Sequence, residues 1–271
     1  KNSGTRQRSR GNKSMTPEEE YRRFLKDKKV ILIGPAKSSE DQVTNDLVNS
    51  YDVVVRINDL HKRQDEDRFR TDVIYCDGTL NKDRHDSYKS SNLSFIKNVY
   101  PSSEWFYKSR MESSIKYMKR FFPQKILTLS EETYSEIKNE IANTRPNSGT
   151  CAIVDLLKHE VKELFIIGVD FYRSAYSKNS ESKSELQSVR DFNKEIKEEN
   201  DLDFLRELFA KGDGPDYHNP DLQFKYFKYN FYLKDDRIKV TDEFRFFIED
   251  TKFEDVFYEK RFIHWHNNKL F

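Results

Sequence analysis

Apolar residues in this chain are gathered into short runs that are separated by longer polar or amphipathic stretches. The most uniform run, Val-Ile-Leu-Ile at 30–33, is typical of a strand buried on both faces of a sheet. Strands are predicted at 29–33, 52–57, 71–75, 164–168 and 236–244, with further strand pieces at 92–98 and 104–107. Helices are predicted at 40–50, 113–122, 130–143, 149–159, 201–210 and 222–233. This alternation predicts right-handed βαβ crossovers, and therefore an α/β fold with a mostly parallel sheet.

The strands and helices are predicted to form one domain that is flanked and interrupted by polar segments. Residues 1–28 are basic and polar, which predicts a flexible leader, and the domain is predicted to occupy residues 29–271. Within it, residues 173–214 are polar and begin rich in Ser, Lys and Glu, which predicts a lid-like insertion rather than a second domain.

The composition is that of a folded protein with a heavily charged surface. Hydrophobic and charged residues each make up 35% of the chain, and the 14% of aromatic residues is more than disordered proteins contain. The 48 Lys and Arg residues nearly balance the 47 Asp and Glu residues. No global field therefore favours nucleic acid or an acidic membrane, and no nucleic-acid partner is expected.

Cysteine usage and hydropathy bear on where the protein works. The two cysteines, Cys76 and Cys151, do not have the spacing of a metal site or a disulfide framework, so we expect free thiols in a reducing compartment. No apolar run is long enough to span a bilayer, and no signal-peptide pattern is present. A cytoplasmic or membrane-peripheral protein is expected. A peripheral membrane contact and an anchor upstream of Lys1 are left open.

Polar residues follow the first two predicted strands at their carboxyl ends. Gly34 opens a turn in which backbone N–H groups and a helix N-terminus can meet an anionic ligand. Asn58 follows the next strand, where its amide can both donate and accept; an ordinary turn residue is the alternative. Open α/β sheets bind ligands in the crevice at the carboxyl ends of their strands, so both residues are candidates for one site.

A second group of candidates lies on either side of the most apolar predicted strand. Ser148 and Gly149 open a helix whose unpaired N–H groups and dipole favour an anion, and a simple N-cap is the alternative. Asp170, Tyr172 and Tyr176 follow the end of the strand. The phenol hydroxyls could bind a phosphate there, with buried aromatic packing as the competing interpretation.

His218 lies in the loop G-P-D-Y-H-N-P-D-L-Q, just before the predicted helix 222–233. A histidine in such a loop can take a proton from a hydroxyl near neutral pH. It is the candidate general base of the chain.

These motifs, taken in order, resemble those of the sialyltransferases. The run R-P-N-S-G at 145–149, followed by an apolar strand that ends in G-V-D-F-Y, resembles the bacterial enzymes of glycosyltransferase family 42. The run LVNSYDVVVRIND is similar to the large sialylmotif of family 29, the animal-type enzymes. His218 and the residues after it are similar to the closing H-x-x-x-x-E block of that family. Together the motifs cover residues 29 to about 245.

The resemblance implies a fold and an activity. The implied fold is a single Rossmann-like domain, a variant of the GT-A fold. The implied activity is the inverting transfer of sialic acid from CMP-sialic acid to a hydroxyl of an oligosaccharide or glycolipid acceptor, without an essential metal or another cofactor. The oligomeric state is not implied.

The resemblance also implies roles for individual residues. His218 matches the general base that deprotonates the acceptor hydroxyl, and Tyr172 and Tyr176 match the tyrosines that steady the departing CMP phosphate. Asn58 and Ser148 match residues that contact the donor.

Two residues next to Ser148 complete the matched set. Arg145 matches the arginine that precedes the Ser-Gly pair, and Gly149 is expected to let the backbone approach the ligand.

Three departures from the family pattern keep other interpretations open. Gly34-Pro35-Ala36 stands where the family has Gly-Asn-Gly or Gly-Asn-Ser, Asp77 stands where a donor-binding Asn is expected, and Gln223 replaces the closing Glu. Another CMP-linked keto sugar, such as Kdo, is therefore an alternative donor. A non-catalytic Rossmann-like module that binds a nucleotide or glycan is an alternative function.

A metal-dependent enzyme with a nucleotide diphosphate donor is a further alternative. The run Asp65-Glu66-Asp67 formally matches the D-x-D element of such enzymes. It does not follow an apolar strand, so a solvated loop is predicted here and no metal site is expected.

Overall fold

A seven-stranded sheet with the strand order β5-β4-β3-β2-β1-β6-β7 forms the centre of the molecule. The computed structural model describes residues 15–36, 42–58, 70–78, 86–89, 91–101, 108–122, 125–141, 144–169, 171 and 220–250. The strands are β1 (Lys29–Ile33), β2 (Val53–Ile57), β3 (Val73–Cys76), β4 (Phe95–Asn98), β5 (Lys125–Thr128), β6 (Glu163–Ile167) and β7 (Ile238–Val240). Every neighbouring pair is parallel, which confirms the predicted α/β class.

Helices pack on this sheet. They are α1 (Pro17–Leu25), α2 (Asn45–Asn49), α3 (Lys108–Phe121), α4 (Glu131–Glu140), α5 (Ser148–Lys158), α6 (Pro220–Phe227) and α7 (Asp242–Asp250). A π-helical turn, Lys228–Tyr232, continues α6. Ser, Thr and Asn side chains that accept from amides of the first turn cap several of the helices, as expected at an N-cap; they include Thr16 of α1, Ser130 of α4 and Asn147 of α5.

The apolar runs form strands because both faces of the sheet are covered. Val30 and Leu32 of β1 belong to the largest core cluster, together with most of α5. Ile31 and Ile33 belong to another cluster, with Val48 of α2. Since side chains alternate between the two faces of a strand, an uninterrupted apolar run is what a doubly covered strand requires.

The N-terminal part of the chain differs from the predicted flexible leader. Residues 17–25 form α1, which begins with a capping box of Thr16 and Glu19. Tyr21 and Leu25 are fully buried in the main core. The helix was missed because its polar face, PEEEYRR, dominates the composition of the segment. Residues 1–14 lie outside the described residues.

Several predicted boundaries also change. Strand β5 was missed because it is short and lies at the edge of the sheet. The predicted strand 236–244 is β7 alone, and Thr241 then caps α7 by accepting from the Phe244 amide at 3.3 Å. Thr44 caps α2, so that helix begins at Asn45 rather than at 40. The predicted strand piece 104–107 and the helix 201–210 lie outside the described residues.

Candidate functional site

Asn58 joins several chain segments at the carboxyl end of β2. Its φ of 63° is in the left-handed region, which Asn adopts more readily than most residues. The backbone N–H donates to the Tyr75 carbonyl at 2.7 Å, and the backbone carbonyl accepts from the Tyr88 hydroxyl. The side-chain Oδ1 accepts from the Asp77 amide at 3.3 Å and from Ser148 Oγ at 3.5 Å. Within the described part of the chain, Nδ2 is therefore the atom of Asn58 left to donate to a ligand.

The N-terminus of α5 meets Asn58 at this edge. Asn147 caps the helix, with Oδ1 accepting from the Thr150 amide at 2.8 Å. The amides of Ser148 and Gly149 have no hydrogen-bond partner among the described residues. Such amides, at the positive end of the helix dipole, form a binding site for a phosphate or carboxylate.

Gln223 of α6 forms hydrogen bonds to the residues at the start of α5. It is completely buried, and its Oε1 accepts from the Asn147 amide and from Thr150 Oγ1, each at 2.8 Å. Because the acceptor is a carbonyl oxygen, the amide performs this function without adding a negative charge beside the helix N-terminus. Gln223 thus supplies an uncharged acceptor at this position.

Close packing and backbone hydrogen bonds to the end of β6 explain why a glycine lies at position 34. A Cβ at Gly34 would lie 2.1 Å from the carbonyl oxygen of Gly168. The Gly34 amide donates to Ile167 at 2.8 Å, and the Ala36 amide donates to Gly168 at 3.0 Å. Those two N–H groups are engaged with the end of β6, so the anion contact predicted for Gly34 has no support from its amide.

Gly149 also has a packing reason to be glycine. Its Cβ would lie 2.9 Å from Cγ1 of Val169 and 3.5 Å from Cδ1 of Ile57. The position is therefore closed by side chains of the core. This contact accounts for the glycine independently of a ligand.

Arg145 lies three residues before the helix, in the half-buried segment that leads into it. Its guanidinium stacks over the ring of Tyr100 at 5.7 Å from the centroid, and the Tyr100 hydroxyl donates to the Pro146 carbonyl at 3.3 Å. Asn98, at the end of β4, in turn holds the Tyr100 backbone. The guanidinium is thus held beside the segment that leads into α5.

The remaining candidates lie outside the described residues. They are Asp170, Tyr172, Tyr176, His218, the D-x-D pair Asp65 and Asp67, and the insertion 173–214. Their flanking residues are described: buried Phe171 packs on Phe224 and Phe227 of α6, with ring centroids 5.4 Å apart in each pair. α6 itself begins at Pro220, just after His218. The roles of these residues stay predictions.

The structure contains a buried polar network that the sequence did not suggest. Lys97 of β4, 1% exposed, forms an ion pair with Asp155 of α5 at 2.8 Å, and the Tyr75 hydroxyl donates to the same carboxylate oxygen at 2.5 Å. The Tyr21 hydroxyl lies 2.8 Å from that of Tyr75. His159 Nε2 is 3.6 Å from Asp155 Oδ1. A charged residue inside each of two apolar runs, FIKN and CAIVDLL, was the signal available in the sequence.

The network controls the ionisation of its members. Burial by itself would raise the pKa of Asp155, but the His159 interaction and the charge of Lys97 outweigh it and lower the pKa to about 2. Burial, followed by the charge of Asp155, raises the pKa of Tyr75 well above its usual value. Asp155 is therefore a carboxylate and Tyr75 a neutral hydrogen-bond donor throughout the physiological range.

Among the described residues, no group of three or more His, Cys, Asp or Glu side chains is arranged to hold a metal ion. In the same part of the chain, no helix combines the length and apolar character needed to cross a bilayer.

Comparisons with known proteins gave structural matches only. No protein-family model and no curated protein sequence matches the chain. A variant of the sialyltransferase CST-II in complex with CMP is similar with a TM-score of 0.48 and 17% identity, over 79% of this chain and 80% of that one. CstII from Campylobacter jejuni in complex with the substrate analogue CMP-3FNeuAc has a TM-score of 0.46 and 14% identity, over 79% and 78%.

A mammalian sialyltransferase in complex with Gal-beta-1-3GalNAc-ortho-nitrophenol is similar over smaller shares of the two chains. Its TM-score is 0.41 and its identity 14%, over 62% of this chain and 65% of that one. The chain thus spans less than two thirds of the length of this mammalian enzyme. All three proteins are sialyltransferases, the class that the sequence motifs resemble.

Proposed function

We propose that this protein is an inverting, metal-independent glycosyltransferase that transfers sialic acid from CMP-sialic acid to a hydroxyl of a glycan acceptor. One observation carries the proposal. Asn58 and Ser148, 90 residues apart in sequence and each part of a separate sialyltransferase-like motif, meet at 3.5 Å beside a helix N-terminus. This is the carboxyl edge of a parallel sheet, where α/β folds bind nucleotides.

The donor phosphate would lie against the start of α5. The Ser148 and Gly149 amides, the Asn58 Nδ2 group and the Arg145 guanidinium are donors of the right kind for a monophosphate. A nucleotide monophosphate has fewer negative charges than a diphosphate, so amides, a helix dipole and one cation can stabilise it without a metal. Tyr172 and Tyr176 are proposed to add phenol donors as the phosphate departs.

His218 is proposed to be the general base. It takes the proton of the acceptor hydroxyl while that oxygen attacks the anomeric carbon of the sugar. The bond from this carbon to the CMP phosphate oxygen breaks on the opposite face, and CMP leaves with the bonding electrons. Attack opposite the leaving group inverts the anomeric configuration, and the donors at α5 stabilise the charge that develops on the phosphate.

Binding of CMP is the direct test. We expect calorimetric titration without metal to detect CMP and to give a weaker response to CDP. Asn58→Ala should weaken CMP binding by about 10- to 100-fold, the loss expected for a hydrogen bond to a charged group. Ser148→Ala keeps the backbone amide and removes only the hydroxyl that donates to Asn58 Oδ1, so it should weaken CMP binding by less. Asn49→Ala and Ser50→Ala, exposed substitutions at the end of α2, are the matched controls. Equal affinities in all five proteins would contradict the proposed site.

Turnover separates the donor classes and tests the base. CMP release from CMP-sialic acid and from CMP-Kdo should be compared, because the Kdo alternative predicts the opposite preference. His218→Ala should lower transfer by about 10²-fold or more while leaving CMP affinity within a few-fold of wild type. Full transfer by His218→Ala would refute the general-base assignment.

Metal independence has its own test. Transfer should persist in excess EDTA and should not be stimulated by manganese. Loss in EDTA with recovery in manganese would favour the diphosphate alternative and would assign Asp65 or Asp67 to metal binding.

A non-catalytic nucleotide-binding module is the second candidate, and the turn after β1 favours it. The Gly34 and Ala36 amides there donate to the Ile167 and Gly168 carbonyls at the end of β6, and the backbone amide of an acidic residue, Asp77, donates to Asn58 Oδ1 at 3.3 Å. Such a module would bind CMP without hydrolysing the donor. Slow CMP release from CMP-sialic acid in the absence of an acceptor would exclude it.

A further inference from the structure

Tyr75 contacts Asn58 through its backbone and, through its side chain, helix α5, whose N-terminus is the other half of the candidate donor site. Its carbonyl oxygen accepts from the Asn58 amide at 2.7 Å. Its hydroxyl donates to Asp155 Oδ2 at 2.5 Å, across a sequence separation of 80 residues. The ring between them is fully buried.

Asp155 is the point at which this link reaches α5. It lies about two helical turns, or roughly 10 Å, from Ser148 and on the same side of the helix. An α-helix of this length behaves as a rigid rod, so an anchor at Asp155 limits how far the Ser148 and Gly149 amides can move. Lys97 strengthens the anchor, with Nζ 2.8 Å from the same carboxylate.

Helix α1 closes the network from the outside. Since the Tyr75 hydroxyl donates to Asp155, it accepts from the Tyr21 hydroxyl at 2.8 Å. Glu18 Oε1 lies 3.1 Å from Lys97 Nζ. The hydroxyl of Tyr75 is thus held from two directions, by Asp155 of α5 and by Tyr21 of α1.

We infer that Tyr75 is a positioning residue of the donor site, which sets the distance between Asn58 and the N-terminus of α5 through the Tyr75–Asp155 hydrogen bond. The identity of the ligand, a CMP phosphate, rests on the proposed function, whereas the positioning of α5 by Tyr75 rests on the contacts in the structure. Hydrophobic packing alone would let α5 slide slightly along the sheet. A hydrogen bond with a charged acceptor restricts that motion, because it weakens steeply with distance and angle.

The test compares two Tyr→Phe substitutions in the same core. Tyr75→Phe removes the link while keeping the ring and the backbone carbonyl. Tyr226→Phe is the control, since Tyr226 is buried in the same cluster and its hydroxyl has no hydrogen-bond partner among the described residues. For each protein the chemical shifts of the Ser148, Gly149 and Asn58 amides are recorded without ligand. CMP affinity is then measured at a temperature where unfolding curves show all proteins to be folded.

We expect Tyr75→Phe to shift the three amide signals and to weaken CMP binding by about tenfold, as small misplacements in a preorganised site do, with Tyr226→Phe close to wild type in both. If Tyr75→Phe lowers stability but leaves the signals and the affinity unchanged, the role is only structural and the inference is wrong. If the wild type binds no CMP, the proposed function fails, and the amide signals alone decide the positioning role.

A second variant keeps the test decisive if Tyr75→Phe does not fold. Asp155→Asn preserves the shape of the side chain but replaces the charged acceptor by a neutral amide. It should move the same three amide signals, by less than Tyr75→Phe would. Unmoved signals in a folded Asp155→Asn protein would overturn the inference.

Discussion

Substitution of Lys97 by Met should leave Asp155 as a buried charge that has lost its closest cation. At 2.8 Å, the gross attraction between the two groups is about 6 kcal/mol at an effective dielectric constant of 20. Much of this is offset by the desolvation of both ions, yet removal of one partner from a buried pair typically costs about 3–5 kcal/mol. We therefore expect Lys97→Met to lower the free energy of unfolding by about 3–5 kcal/mol.

A double-mutant cycle tests that reasoning. Lys97→Met, Asp155→Leu and the double variant are unfolded in urea and followed by circular dichroism. Because the double variant contains no lone charge, its loss should be smaller than the sum of the two single losses by about 2 kcal/mol or more. If the single losses simply add to within about 0.5 kcal/mol, the ion pair does not stabilise the fold in the way proposed.

Three further predictions follow from the same contacts. The Asp155 pKa of about 2 is below its unfolded value, so its stabilisation is present above pH 4 and lost as pH falls towards 2. Between pH 4 and pH 2 the free energy of unfolding of the wild type should fall by about 2 kcal/mol more than that of Asp155→Asn. Acid unfolding curves measure this difference, and parallel curves for the two proteins would contradict the prediction. Gln223→Leu should lower the free energy of unfolding by about 2–4 kcal/mol, because it leaves the buried Asn147 and Thr150 donors without their acceptor. Gln223→Glu keeps an acceptor, so its loss of stability should be clearly smaller. Equal losses for the two variants in thermal melts would refute the role of Gln223 as an acceptor. Gly34→Ala should be severely destabilising, because the added Cβ would lie 2.1 Å from a backbone oxygen. Gly149→Ala should destabilise the protein less, because the closest atom to its added Cβ belongs to a side chain, at 2.9 Å. A lower melting temperature for Gly149→Ala than for Gly34→Ala would be inconsistent with these contacts.

The local pattern of the chain was sufficient for much of the sheet. Mostly apolar runs predicted buried strands at 29–33 and 52–57, and N-S-G-T before an apolar helix predicted the start of α5, because these signals depend on neighbouring residues only. The parallel α/β class follows from the order of such elements, and the structure confirms it. The family resemblance assigned Asn58 and Ser148 to one donor site, and the structure brings their side chains to within 3.5 Å of each other; their roles in binding stay predictions.

Tertiary structure alone decided the features that depend on distant partners. The polar segment 17–25 forms helix α1 because Tyr21 and Leu25 are buried in the main core. The residues of that core come from distant parts of the chain, so the helix propensity of the segment did not indicate their presence. Lys97 and Asp155 are tolerated in apolar runs because each is the other's counter-ion, and Tyr75 joins them from another strand. A buried charge or hydroxyl is stable only with a partner at hydrogen-bond distance, and the chain brings these partners together only when it folds.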